Sequence, residues 1–137
     1  MSQTIFPALR YADARAAIAW FETVFGAERH AVYDAEDGSV AHAEMRIAGN
    51  LFMFGEDSAR DDYPVRSPKA TNGVTASIYV VLPEAAAVDA LHARAAAAGA
   101  TISHAPNDTD YGSHDFSALD LDGHTWTFGT FDPNAAG

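Results

Sequence analysis

The sequence predicts an α+β fold. A single domain, residues 1–137, is expected to hold two βαβββ modules, about 1–57 and 73–131, joined by a loop at 58–72. Their strands are expected to form a curved mixed sheet around a cleft. Three observations lead there. A 137-residue chain with 48% hydrophobic residues has the length of one domain and enough apolar surface for a core. Strand-period and helix-period segments follow one another in the order βαβββ, twice. Landmarks also recur 73 or 74 residues apart. Gly26-Ala27 after the first helical segment is matched by Gly99-Ala100 after the second, and the hairpin Gly49–Gly55 by Gly123–Gly129. Phe52 and Phe54 thereby map onto Trp126 and Phe128. One such module is too small to bury a core alone. Its helix covers one sheet face, and two modules side by side would leave their other faces to enclose a cavity for a small molecule.

The elements follow in order. Ile5–Tyr11 reads as a strand with Pro7 near its start, where a missing donor is tolerated. Asp13 caps a helix over Ala14–Phe25, whose Ile18, Phe21 and Phe25 share a face, and Gly26 ends it. Ala31–Tyr33 is a short strand, Asp34–Ser39 a polar turn and Val40–Ile47 a strand. Gly49-Asn50 is a tight turn and Leu51–Phe54 closes the first module. Glu56–Gly73, with Asp61-Asp62, Pro64, Pro68 and Asn72-Gly73, reads as a loop. The second module repeats the order. Thr75–Leu82 is a strand, and a helix starts with Pro83 at its first position and runs to about Ala98 with Val88, Leu91 and Ala95 inward. Thr101–Ser103 is a strand, Asn107–Gly112 a turn, Asp115–Leu119 a strand, Asp122-Gly123 a turn and His124–Phe128 the closing strand. Asp132–Gly137 reads as a frayed tail.

Composition removes several function classes. Nineteen acidic against eight basic side chains give a net charge of −11, which disfavours nucleic acid. The same charge would attract a cationic ligand, or simply keep the protein soluble. With no cysteine there is neither a disulfide, a thiolate metal site nor a cysteine nucleophile. No run of about 18 apolar residues suggests a membrane span, and Met1–Phe6 lacks the pattern of a signal peptide. A cytoplasmic location is the simplest expectation. Neither a phosphate-cradling glycine loop nor a serine nucleophile elbow is present.

The motifs Leu9-Arg10-Tyr11-Ala12-Asp13, Trp20-Phe21, Phe25-Gly26, Ala97-Ala98-Gly99-Ala100 and Asp110-Tyr111-Gly112 resemble the vicinal oxygen chelate superfamily. So does the closing run Asp120-Leu121-Asp122-Gly123-His124-Thr125-Trp126-Thr127-Phe128-Gly129-Thr130. That superfamily includes glyoxalase I, extradiol dioxygenases, fosfomycin-resistance proteins and bleomycin-binding proteins. The resemblance spans nearly the whole chain and implies the glyoxalase/bleomycin-resistance fold. It also implies a homodimer and, in the enzymes, a divalent metal held by side chains on the first and last strands of each module. Carried over by position, those ligands fall near Phe6, at Met53, near Ser77 and at Thr127. These are not a ligand set for a hard cation. The expectation is therefore no metal and no other cofactor.

Strand alternation adds candidates. Ala41, Ala43, Met45 and Ile47 form the apolar face of their strand, leaving His42, Glu44 and Arg46 to face the cleft. His42 and Glu44 suit a base and its orienter, or a metal in an unusual place. Alternatively Glu44 pairs with Arg46 or Arg10 and lines a polar channel. His114, close after Tyr111-Gly112, stands where relatives with that motif often have a basic residue. It would contact an anionic group, act as an acid or base, or be a surface histidine. Phe52, Phe54, Trp126 and Phe128 are assigned to the core and Trp20 to packing or a dimer contact. The expected ligand-binding set is Phe6, Arg10, His42, Glu44, Arg46, Met53, Ser77, Tyr111, His114 and Thr127. The expected function is small-molecule binding without the usual metal site. The alternatives are a lyase, isomerase or dioxygenase working through His42, Glu44 or His114, and an interaction module without a ligand.

Overall fold

The computed structural model describes residues 3–57, 62 and 64–135. The chain divides into two compact units, Met1–Val74 with Leu121–Gly123, and Thr75–Asp120 with His124–Gly137. Each contains one four-stranded mixed sheet with a helix on one face.

In the first unit the elements are β1 (Ala8–Tyr11), α1 (Ala14–Val24), β2 (Glu28–Asp34), β3 (Val40–Ile47), β4 (Asn50–Glu56) and the short helix α2 (Pro68–Thr71). The sheet order is β1-β4-β3-β2, with β1 parallel to β4 and the other pairs antiparallel. β1 is shorter than the expected Ile5–Tyr11. The Pro7 carbonyl accepts from Met53 N at 2.9 Å, but Pro7 has no N–H to return, and Ile5 is 86% exposed. Asp13 caps α1 as expected, its Oδ1 accepting from Ala16 N at 3.0 Å, and Gly26 takes the left-handed conformation just beyond the end. The helix buries Ile18, Phe21 and Val24 against the sheet. Phe21 meets Tyr11, Phe25, Phe52 and Phe54 at ring-centroid distances of 4.9–5.9 Å.

Three local features differ from expectation. β2 extends well beyond Ala31–Tyr33, and bulges break its register with β3 between Arg29 and Ala31 and between Tyr33 and Asp34. The second bulge leaves Ala41 outside the ladder and half-exposed, so Val40 takes its expected place in the core beside Ala43, Met45 and Ile47. The tight turn is Ala48-Gly49, not Gly49-Asn50. Ile47 pairs with Asn50, and both turn residues have positive φ, as a two-residue hairpin of this hand requires. The expected loop contains α2, capped by Ser67. Its residues 58–61 and 63, including Asp61, lie outside the described residues.

In the second unit the elements are β5 (Ser77–Val81), α3 (Ala85–Ala97), β6 (Thr101–Asp108), β7 (His114–Leu119) and β8 (Thr125–Gly129), with sheet order β5-β8-β7-β6. The same pairing pattern as in the first unit recurs. Val88 and Ala95 of α3 are fully buried, Leu91 half-buried, and Phe116, Ala118, Trp126 and Phe128 form the core beneath them. Pro83 lies outside α3, with Glu84 at the cap. β6 runs past Pro106 to Asp108, because an edge strand tolerates a residue without an N–H. The assignment of Phe52, Phe54, Trp126 and Phe128 to the core matches their exposure of 2% or less.

Candidate functional site

In each unit the helix covers one sheet face, and the candidate residues sort by which face they occupy. In the first unit Tyr11, Ala43, Met45, Phe52 and Phe54 point to α1. Strand alternation leaves Ala8, Arg10, His42, Glu44, Arg46, Met53 and Gly55 on the other face, in a register that pairs Ala8 with Met53, Arg10 with Gly55 and Glu44 with Met53. A cavity of about 370 Å³ opens there, lined by Ala8, Leu9, Arg10, Ala41, His42, Met53, Phe54 and Gly55.

Arg10 is the charged side chain of that lining and is 6% exposed. Its place is created by Gly55 on the neighbouring strand. A Cβ on Gly55 would fall on Arg10 Nη1 and come within 2.6 Å of the Ala41 carbonyl oxygen. Arg10 Nη1 donates to the Glu56 carbonyl at 3.4 Å. The Glu56 carboxylate accepts from Ala14 N at 3.1 Å. His42 Nε2 lies 2.8 Å from Glu44 Oε2, and His30 Nε2 lies 3.8 Å from Glu44 Oε1. Glu44 thus sits between two imidazoles, while Arg46 Nη1 is 3.5 Å from the Gly49 carbonyl. His30 escaped the sequence reading. The bulge between Arg29 and Ala31 turns it toward Glu44, and a bulge has no signature in strand alternation. Phe6 precedes β1, is 37% exposed and is not among the cavity-lining residues.

The second unit repeats the arrangement with different chemistry. Its open face presents Ser77, Tyr79, Asp115, Ser117, Thr127 and Gly129. The register sets Tyr79 opposite Thr127, and Ser77 opposite Thr125. Gly129 again makes room for a polar group: a Cβ there would collide with the Asp115 carboxylate and lie 2.6 Å from the Tyr79 hydroxyl. Ser113 Oγ donates to Asp115 Oδ1, and Tyr111 OH lies 3.5 Å from Asp115 Oδ2. Ser117 Oγ and Thr127 Oγ1 are 2.7 Å apart. Tyr79 OH donates to the Phe131 carbonyl at 2.9 Å. Burial pushes the Tyr79 phenol up, and the hydrogen bond with Ser113 opposes that shift. The role of the paired glycines was also missed, although both are landmarks of the repeat.

His114 does not join Tyr111 and Thr127. It shares the helix-facing side of β7 with Phe116. Its Nε2 lies 2.7 Å from Asp89 Oδ1 on α3 and its Nδ1 2.7 Å from Asp108 Oδ1 on β6. The hydrogen bond with Asp89, then that with Asp108, holds its pKa above the ordinary 6.5.

The positions at which the resemblance places metal ligands offer a thioether at Met53 and a hydroxyl at Thr127, with phenylalanine and serine at the others. This donor set does not fit a divalent cation. Among the described residues no three His, Asp or Glu side chains gather as a metal site. Nor, among them, is any helix long and apolar enough to cross a membrane.

The profile of the Glyoxalase/Bleomycin resistance protein/Dioxygenase superfamily matches residues 5–128. An uncharacterized protein of Mycobacterium bovis is 30% identical over 124 residues, covering 90% of this chain and 80% of the relative. The crystal structure of TioX from Micromonospora sp. ML1 superposes with a TM-score of 0.71 at 25% identity, over 93% of this chain and 98% of that one. The fosfomycin resistance protein FosX from Listeria monocytogenes, solved with Mn(II) and 1S,2S-dihydroxypropylphosphonic acid, shares the fold. Its TM-score is 0.67 at 18% identity, over 98% of this chain and 94% of that one.

Proposed function

We propose, from the premise that this chain belongs to the Glyoxalase/Bleomycin resistance protein/Dioxygenase superfamily, that it binds a small organic molecule without the superfamily's usual metal. The observation that carries this reading is the cavity of about 370 Å³ on the open face of the first sheet, lined by Arg10, His42 and Met53. Its size and its mix of apolar wall with a few polar groups suit a small ligand. Met53 stands where the metal-dependent relatives are expected to carry a carboxylate, so the floor of the cavity favours apolar contact over coordination. In the first unit Glu44 and Arg46 extend the candidate binding surface on the open face; Ser77, Tyr111 and Thr127 remain candidates within the second unit. His114 is left to hold α3 against β6.

The test is a ligand screen read on the three methionine methyls. A binder should shift the Met53 signal and raise the melting temperature by mass action. Met53→Ala and His42→Ala should weaken it about tenfold each. A binder that leaves Met53 unmoved, or tight stoichiometric zinc or manganese lost on mutation of His42 or Glu44, would refute the reading. A second reading, proton-transfer catalysis, is favoured by one observation: the 2.8 Å contact of His42 Nε2 with Glu44, the geometry of a base and its orienter. Turnover abolished by His42→Gln with binding intact would select it. The resemblance also supports a homodimer, which light scattering of the purified protein would check.

A further inference from the structure

We infer that the ligand of the first-unit cavity presents a hydrogen-bond donor, an O–H or N–H on a compact apolar body, to His42 Nδ1. This rests on the reading of that cavity as the binding site. Arg10 is engaged within the protein, at the Glu56 carbonyl and beyond it. His42 Nε2 is engaged as well, 2.8 Å from Glu44 Oε2. The way in which Nε2 is held decides what the rest of the ring can do. An ionised carboxylate accepts hydrogen bonds and donates none, so the nitrogen it holds carries the hydrogen. A neutral imidazole has one N–H and one lone pair, and the lone pair of His42 is thereby assigned to Nδ1.

Glu44 is placed to impose that choice. His30 Nε2 stands 3.8 Å from its other oxygen, so the carboxylate faces an imidazole on each side. The Tyr33 ring, opposite His42 in the strand register, lies 6.1 Å from the imidazole at 31° and flanks it from the neighbouring strand. Among the described residues no hydrogen bond is made to Nδ1. Its lone pair is therefore an acceptor that the wall offers beside the apolar surface of Ala8, Leu9 and Met53, which accepts a ring or branched chain. With 39% of the His42 side chain exposed, water competes for that acceptor, and the discrimination it confers is severalfold rather than absolute.

The experiment reads the tautomer first and the ligand second, both on the full chain at about pH 8, where imidazoles are neutral. Long-range proton–nitrogen correlation spectra, with His42 assigned by the signals that His42→Phe removes, should show its hydrogen on Nε2. Phenol, anisole and benzaldehyde share a ring, and only phenol has a donor. Each is titrated at up to millimolar concentration, with binding read on the Met53 methyl and on the thermal transition. Phenol should bind at least about fivefold more tightly than either other probe, within the range of one neutral hydrogen bond. His42→Phe keeps a planar ring, removes the acceptor and should erase that preference. Glu44→Gln, whose amide donates to Nε2 as readily as it accepts from it, should bring up the Nδ1–H tautomer and shrink the preference. The donor inference is overturned, and the cavity remains the binding site, by any of three results: a hydrogen on His42 Nδ1, an undiminished preference in His42→Phe, or anisole or benzaldehyde binding as tightly as phenol while still moving Met53. If probes bind without moving Met53, or no probe binds, the inference and the reading beneath it fall together.

Discussion

The Asp122 carboxylate, with 1% of its side chain exposed, accepts from the Ala12 amide at 2.8 Å and from the Ser67 hydroxyl at 2.5 Å. Lys69 Nζ stands 3.6 Å away. These groups fasten the start of α1 and the cap of α2 to one buried anion. Asp122→Ala would strand the amide and the hydroxyl and should cost about 3 kcal/mol, read as a lower urea midpoint with an unchanged slope. His114 offers a second test at this scale. Its pKa is held above 6.5 by Asp89 and Asp108, so the folded chain binds that proton more tightly than the unfolded chain does. The stabilisation is complete below pH 6.5 and fades as pH rises through the higher folded-state value. Urea midpoints measured from pH 6 to pH 9 should therefore fall, and His114→Gln should flatten that component of the slope.

Among the elements, the hairpin between β3 and β4 carries a visible cost. Ala48 sits at φ 50, a left-handed conformation that a Cβ disfavours. Asparagine tolerates it better, so Ala48→Asn should stabilise the chain by about 0.5–1 kcal/mol, measured by chemical denaturation. The sequence showed that a turn was there but set it one residue late. Gly49-Asn50 is the commoner dipeptide, whereas pairing of Ile47 with Asn50 decides the register. Other elements divide in the same way. Helix α1 was legible because capping and apolar spacing are local properties of Asp13, Ile18 and Phe21. The inward set of β3 was legible from Ala43 to Ile47 and failed at Ala41, where a bulge shifts the face. Arg10, His42 and Met53 were named from motif and alternation, and they do line one cavity. His30 and the Gly55 notch depend on how neighbouring strands meet, which no single segment encodes. His114 was placed by its motif, but strand parity put it on the helix side.

Across the whole molecule, charge is the strongest influence. At −11 the compact state repels itself, so added sodium chloride should raise the melting temperature over the first few hundred millimolar, where the Debye length shrinks most usefully. Fold class and repeat were legible at this scale because duplication writes each landmark twice. The polarity of single positions such as those of Arg10 and Asp115 beside their glycines was not, because net charge sums over every side chain.

The two notched glycines give the duplication a further meaning. Gly55 yields its space to a cation, Arg10, and Gly129 yields the corresponding space to an anion, Asp115. One inherited vacancy has been filled with opposite polarity in the two copies. The same alanine replacement would therefore be two different lesions: at residue 55 it would evict a positive charge, and at residue 129 a negative one. The copies preserve a common scaffold while setting side chains of opposite sign at one equivalent point.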